Sequence, residues 1–365
     1  MSEWQTFCLK DLGKIVGGAT PPTNNPKNYG NKIAWITPKD LSTLQGRYIK
    51  KGSRSISRLG FKSCSCVLLP KHAILFSSRA PIGYVAIAKK RLCTNQGFKS
   101  IIPNKKIYFE FLYYLLKYHK DNISNIGGGT TFKEVSGATL GLFEVKIPPT
   151  YYEQQKIART LSILDQKIEN NHKINELLHT LAYKIYEYYF KYKPKNAKLE
   201  QIIIENPKSN IMVKNAQKTQ DKYPFFTSGD NILSYPKAII DGRNCFLNTG
   251  GNAGIKFYVG KASYSTDTWC ICANEFSDYL YLLLSSIKNH INQSFFQGTS
   301  LKHLQKNLLK KYPIYMPSAH EIKKFNQIII PLLTLISINT RTSKKLEQIR
   351  DFLLPLLLKQ QVKPK

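Results

Sequence analysis

Negative charge is what this sequence is short of. Against 54 Lys and Arg it sets 23 Asp and Glu, a formal balance of +31 over 365 residues. The excess is spread along both halves, and folded domains that carry it need a polyanion, of which nucleic acid is the commonest. A membrane surface fits less well, because no basic amphipathic helix has an apolar face free for lipid. Long apolar runs are missing too. The longest are broken by Pro331 and Pro355, and Met1 to Lys14 is mixed polar, so neither a secretory signal nor a membrane span is expected and the cytoplasm is the expected location. Seven cysteines, an odd count, agree with a reducing compartment. The length and a hydrophobic content of 42% suit two soluble globular domains.

Catalytic signatures are absent as well. Adenine methylation would want an Asn/Asp-Pro-Pro-aromatic loop, yet the Pro-Pro pairs are Pro21/Pro22 and Pro148/Pro149, neither in that setting. Gly250 to Gly254, followed by Lys256, lacks the Ser/Thr and the frame of a phosphate loop. Cys64/Cys66 and Cys270/Cys272 each put two thiols on one face of a strand, but no second pair at zinc spacing lies near either. No metal site is expected. The His residues show no arrangement of base and orienting partner. Binding chemistry remains.

What is present in strength is a helix that occurs twice. From Ile157, apolar residues follow at Leu161, Leu164 and Ile168, then come Asn171 and Asn175, then Leu178, Ala182, Ile185 and Tyr189. Phe325, Ile329, Leu332, Ile336, Asn339, Ser343, Leu346, Arg350, Leu353 and Leu357 hold the same frame 168 positions later. Steps of four and three average 3.5 residues per turn, the period of a coiled-coil seam, so the helices should dock on each other. Asn171 and Asn339 in the seam would fix its register. The helix after Ala319 contains Pro331 and Pro355, so a kink or a later start is expected there.

The approaches to the helices repeat too. Gly129, Thr130, Thr131, Phe132 and Lys133 read against Gly298, Thr299, Ser300, Leu301 and Lys302, and Ile147-Pro148 reads against Met316-Pro317. A period this long means a duplicated domain plus helix. The expected fold is α+β with a pseudo-two-fold repeat: two mixed, strand-rich domains joined by two long helices that pair as an antiparallel coiled coil. The boundaries are residues 1–150 for the first domain, 151–195 for the first spacer helix, 196–318 for the second domain and 319–365 for the second helix and tail. Val67 to Leu69, Ile74 to Phe76 and Tyr84 to Ile87 read as strands, and Phe109 to His119 as a helix. Phe225 to Asp230 echoes Trp35 to Asp40, Asn248 to Gly254 echoes Ser78 to Gly83, and Ser265 to Trp269 echoes Thr94 to Phe98.

Turns between strands hold the candidate contacts. In the first half these are Ser78, Arg79, Thr94, Asn95, Gln96, Thr130, Thr131 and Lys133; in the second, Asn252, Lys256, Thr266, Asp267, Thr299, Ser300 and Lys302. Arg, Asn, Gln and Lys can match base edges, while Thr, Ser and Lys suit phosphate oxygens. Any one of them alone is an ordinary solvated turn residue. Their placement twice, at matching positions, favours nucleic-acid contact over that ordinary role.

Several motifs resemble one family. The stretch Thr6 to Pro22, its continuation Ile36 to Leu41, the Gly-Thr-Thr/Ser loops, the Ile147 to Gln154 lead-in, both seams and Leu353 to Leu357 are similar to the specificity subunit of type I restriction-modification systems. The resemblance implies two target-recognition domains that each read half of a split DNA sequence, on paired helices that dock methyltransferase subunits, two of them, and through these the restriction subunits. It implies a chain that is not an enzyme and carries no cofactor itself: S-adenosylmethionine, ATP and Mg would belong to the partner subunits. A type II-like system with a related specificity subunit, or a basic coiled-coil scaffold, are the other readings.

Overall fold

The computed structural model describes residues 3–129, 133–216 and 222–364. The chain divides into two compact units, Met1–Glu169 with Ile349–Lys365, and Asn170–Gln348.

The first unit is built on strands β1 (Gln5–Cys8), β2 (Gly13–Gly17), β3 (Tyr29–Ile36), β4 (Tyr48–Ile49), β5 (Arg54–Ile56), β6 (Ile74–Ser78), β7 (Ile82–Ala88), β8 (Cys93–Thr94) and β9 (Lys99–Pro103). Helix α1 (Phe109–Asn125) and β10 (Glu144–Ile147) follow, and then the long helix α2 (Tyr151–Tyr186) begins. One sheet has the order β2-β9-β6-β7-β4, a second the order β5-β3-β8, and β1 pairs with β10. Strands β3 and β8 run parallel, Trp35 opposite Cys93 and Ile36 opposite Thr94. Helix α1 buries Phe111, Leu112, Tyr113, Tyr114, Leu115 and Leu116 in one cluster with Ile74, Phe76, Ile87 and Ile101 from the sheet. Each such side chain contributes about 1.5–3 kcal/mol.

The expected strand at Val67 to Leu69 does not form. Only Leu69 bridges, to Leu92, and Pro70 removes the next backbone donor. Cys64 and Cys66 therefore share no strand face; they pack in a small cluster with Trp35, Ile56 and Cys93. Burial pushes the Cys66 and Cys93 thiols up, so they behave as small apolar groups. Among the described residues no group of His, Cys, Asp and Glu is placed to hold a metal ion.

The second unit repeats the plan. Its strands are β11 (Ala197–Lys198), β12 (Ile204–Glu205), β13 (Tyr223–Phe226), β14 (Leu233–Tyr235), β15 (Arg243–Asn248), β16 (Ile255–Val259), β17 (Ser263–Tyr264) and β18 (Thr268–Cys272). Helix α3 (Ser277–Ser286), β19 (Phe296–Gln297), β20 (His303–Leu304), β21 (Pro313–Ile314) and the long helix α4 (Ala319–Leu358) complete it. The sheet order β12-β18-β15-β16 matches β2-β9-β6-β7, with no counterpart of β4 among the described residues. The parallel pair recurs as well, with β13 on β17 and Phe226 opposite Tyr264. The fold is mixed α and β with an internal repeat.

Both long helices start from one device. Thr150 Oγ1 accepts the Glu153 N–H at 3.2 Å and donates to that carboxylate at 3.1 Å; Ser318 and Glu321, 168 positions on, do the same. At Ser318 the backbone N–H also donates to the Glu321 carboxylate at 2.9 Å, which completes a capping box and satisfies N–H groups that the first helical turn leaves unpaired. Gln154, buried, also locks the first lead-in: its amide donates to the Lys106 and Pro148 carbonyls, and its oxygen accepts the Tyr108 N–H. Ile322 stands in its place on α4, buried in the apolar core.

The seams pair antiparallel. In the second unit the Asn171 amide donates to the Ser343 hydroxyl at 3.1 Å, and the Asn339 amide donates to Asn175 Oδ1 at 2.9 Å. These two bonds are images of each other under the repeat. In the first unit Arg350 meets Asp165 at 2.7 Å, and Ile157 and Leu161 share a cluster with Leu354 and Leu357. Ile157, Leu161, Ile168, Phe325, Ile329 and Ile336 are buried; Leu164, Leu178, Ile185, Leu332, Leu346 and Leu353 are half-buried. None of these is exposed.

Helix α4 runs without a break from Ala319 to Leu358, so Pro331 and Pro355 do not delay its start. Each removes one backbone donor, and the carbonyls left over belong to the exposed residues Gln327 and Asp351, where water can satisfy them.

Candidate nucleic-acid interface

Three loops are laced into one ridge in the first unit. The Asn95 N–H donates to the Ile36 carbonyl at 2.9 Å, the Ser78 N–H to Gly97 at 2.8 Å, and the Val135 N–H to Ser78 at 3.0 Å. The second unit makes the same three bonds: Ser265 to Phe226 at 2.9 Å, Thr249 to Asp267 at 3.1 Å, and Leu304 to Thr249 at 3.0 Å. Asn95 therefore corresponds to Ser265, Gly97 to Asp267, and Ser78 to Thr249. Two of the matches expected from sequence, Ser78 with Asn248 and Thr94 with Ser265, are one residue out. A slip of one residue in an extended segment exchanges its faces, and only the backbone pairing fixes the register.

The third loop keeps the match expected from sequence. Gly128 bridges Glu134, and Gln297 pairs with His303, which sets Lys133 opposite Lys302 in the repeat. Gly129 and Gly298, at the same place in both turns, have φ of +120° and +139°, a conformation in which an L side chain is strained. Thr130 and Thr131 lie outside the described residues.

The candidates separate by exposure. Gln96, Lys133, Asn252, Thr266, Thr299, Ser300 and Lys302 are exposed, and Arg79, Asn95 and Asp267 are half-buried. Arg79 lies 3.5 Å from Glu134, which also holds Lys99 at 3.2 Å. Asn95 Oδ1 accepts the Gly97 N–H, and Gln96 accepts the Thr20 hydroxyl. The Thr266 N–H is taken by the Ile211 carbonyl, and Asp267 accepts the Ser265 hydroxyl. Three candidates are not turn residues. Ser78 and Thr94 end strands with buried side chains, and Lys256 lies within β16. The Lys256 ammonium donates to the Thr227 carbonyl at 2.8 Å and to Asn248 Oδ1 at 3.2 Å, and burial lowers its pKa. It braces the loop from beneath.

Gly18 explains why the opening glycines matter. A Cβ there would stand 2.0 Å from the Asn95 carbonyl oxygen and 2.4 Å from that of Thr94, so the opening loop and the Asn95 loop are in backbone contact. Sequence reasoning missed the arginines that tie each sheet to its long helix, the buried Arg47 and the half-buried Arg243. The one signal available was that Glu110 and Asp278, their carboxylate partners, are 168 positions apart, the spacing of the helices.

Fold and loops together define a class: long paired helices carrying two repeated mixed domains with matched loop ridges. The family model described as the type I restriction modification DNA specificity domain matches residues 1–180 and 195–348. The MjaIX specificity subunit of a type I restriction enzyme from Methanocaldococcus jannaschii is 32% identical over 98% of this chain and 93% of its own length. The HindI specificity subunit of Haemophilus influenzae is 30% identical over 46% of this chain and 37% of its own length. A crystal structure of the S subunit of a type I restriction-modification system from M. genitalium shares the fold, with a TM-score of 0.64 at 18% identity, 97% of this chain and 96% of that one being covered. The chain belongs to the type I restriction-modification DNA specificity family, and it is a specificity subunit and not an enzyme.

Proposed function

We propose that this chain reads a split double-stranded DNA target, each unit contacting one half-site through its loop ridge. The observation that carries this reading is the bond-for-bond repetition of the ridge in the two units, with exposed Lys, Gln, Thr and Ser side chains on it. Two similar reading heads on one basic chain suit a bipartite site better than a scaffold does, because a scaffold has no need of matched loops. The contacting set comprises Arg79, Asn95, Gln96, Thr130, Thr131 and Lys133, and Asn252, Thr266, Asp267, Thr299, Ser300 and Lys302.

The same chain docks two methyltransferase subunits, and through them restriction subunits, with S-adenosylmethionine, ATP and Mg held by those partners. Support for docking is an apolar stripe on the faces of the long helices turned away from the seam: Ile174, Leu177 and Leu181 on α2 and Ile328, Leu335 and Ile338 on α4 are all exposed. Among the described residues no helix is long and apolar enough to cross a membrane. Sequencing the methylated motif in cells with and without the gene tests the proposal. A two-part motif that disappears with the gene supports it; a continuous motif, or none, refutes it. Purified chain alone should transfer no methyl group to DNA, and activity without a methyltransferase subunit would overturn the division of labour.

A further inference from the structure

In the first unit the Arg47 side chain is 3% exposed and forks between two helices. Its Nη1 donates to Glu110 Oε1 at 2.9 Å, and its Nε to Glu169 Oε1 at 3.1 Å; its backbone N–H donates to the same Glu169 oxygen at 2.9 Å. Glu110 is the second residue of α1, and it also accepts the hydroxyls of Tyr48 and Tyr108. Glu169 is on α2, one turn after Asp165, which takes Arg350 and the Tyr114 hydroxyl. Burial opposes the charge on Arg47, but Tyr114, Glu169, Glu110 and Asp165 together raise its pKa, so it is charged throughout.

The second unit reaches the same end with an arginine of different origin. Asp278, second residue of α3, receives Arg243 Nε at 2.5 Å, while Nη1 of that arginine donates to Thr334 Oγ1 at 2.9 Å and Nη2 to the Ile330 carbonyl at 3.4 Å. Thr334 and Ile330 are on α4. Arg47 precedes β4, which has no counterpart among the described residues, and Arg243 opens β15, so the two arginines are not images under the repeat. Only the carboxylates are. A buried ion pair is weak evidence of stabilisation, since apolar packing of equal volume often does as well, but its directional bonds hold one geometry.

We propose that Arg47 and Arg243 are positioning residues that fix the angle between each unit's recognition sheet and its own long helix, and so limit the number of base pairs accepted between half-sites. The proposal rests on the DNA-reading function proposed above. Lysine cannot make the forked contacts, so R47K or R243K loosens the angle while keeping the charge.

The test is the methylated motif made by the chain assembled with its methyltransferase subunits, for wild type, R47K, R243K and E169Q, with melting temperatures alongside. The wild-type motif judges the DNA-reading function, and the variants judged against wild type decide the clamp. Expected is methylation of unchanged half-sites at spacers one base pair longer or shorter, raised well above the wild-type level at those spacers, because misplacing reacting groups by about 1 Å costs on the order of 10²-fold in rate and a loosened angle recovers part of that loss. A uniform loss at every site with the spacer still strict overturns the clamp, and so does a changed base within a half-site. If R47K does not fold, E169Q decides the matter, because it keeps the acceptor and removes the charge.

Discussion

At the residue scale the two opening glycines are separable. At Gly17 nothing lies within 4 Å of where a methyl carbon would stand, whereas at Gly18 that methyl meets two backbone oxygens. Gly18→Ala should therefore cost roughly 1–3 kcal/mol, as overpacking does, and displace the Asn95 loop, while Gly17→Ala should stay within about 0.5 kcal/mol of wild type. Denaturant unfolding of the two variants checks this, and equal midpoints would contradict it. On the ridge itself, Arg79 is steered by Glu134 and Lys133 stands exposed. We expect Arg79→Ala to cost about 1–3 kcal/mol of binding and relax one base position, and Lys133→Ala to weaken all sequences alike while the salt slope drops by about one unit. Binding isotherms at several salt concentrations distinguish these, and unchanged affinity for both would remove this loop from the interface.

At the element scale the caps of the long helices make a pH prediction. The Ser318 backbone N–H, with the Tyr315 and Ser318 hydroxyls, holds the Glu321 carboxyl down at about 2, below its usual 4.5. A depressed acid stabilises the fold above its unfolded pKa, so the contribution should be complete above about pH 4.5 and fade as the pH falls towards 2. The melting temperature of Glu321→Gln should lie below that of wild type at pH 7 and converge with it in acid. Ser318→Ala should cost about 1 kcal/mol by loss of the cap. A gap that does not narrow in acid would place the effect elsewhere. Much at this scale is legible in sequence. A seam advertises itself through its period, and both long helices, their pairing and the strands at Ile74 and Tyr84 follow from periodicity. Register does not, because it is set by which N–H meets which carbonyl; this is why two loop matches slip by one residue. The prolines do not set where the helix starts, because their cost depends on whether the orphaned carbonyl faces water. Arg47 gives no local sign at all, since its partners are 63 and 122 positions away.

At the scale of the whole molecule, the long helices are proposed as a ruler for the DNA target. Because Asn171 meets Ser343 and Asn175 meets Asn339, matched insertions of four residues after Lys173 and after Thr340 lie opposite each other and leave those pairs intact. Each adds about 6 Å of rise and about one turn, so the methylated motif should keep its half-sites and gain one or two base pairs of spacer. Two-residue insertions, which turn one end away, should abolish methylation. An unchanged spacer in the four-residue variant would rule out the ruler. The two ends of the scaffold differ in one respect. Arg350 pairs with Asp165 in the first unit, while the position that repeats Arg350 is Ala182, whose short apolar side chain is buried. Recombination between related genes is constrained accordingly. A breakpoint at Pro148 imports a new reading head but leaves Asp165 and Arg350 together; the donor must bring its own arginine for Glu169, as Arg47 does here. A breakpoint further along α2 splits partners that lie nearly the whole helix pair apart in sequence, and the hybrid inherits a carboxylate without its cation.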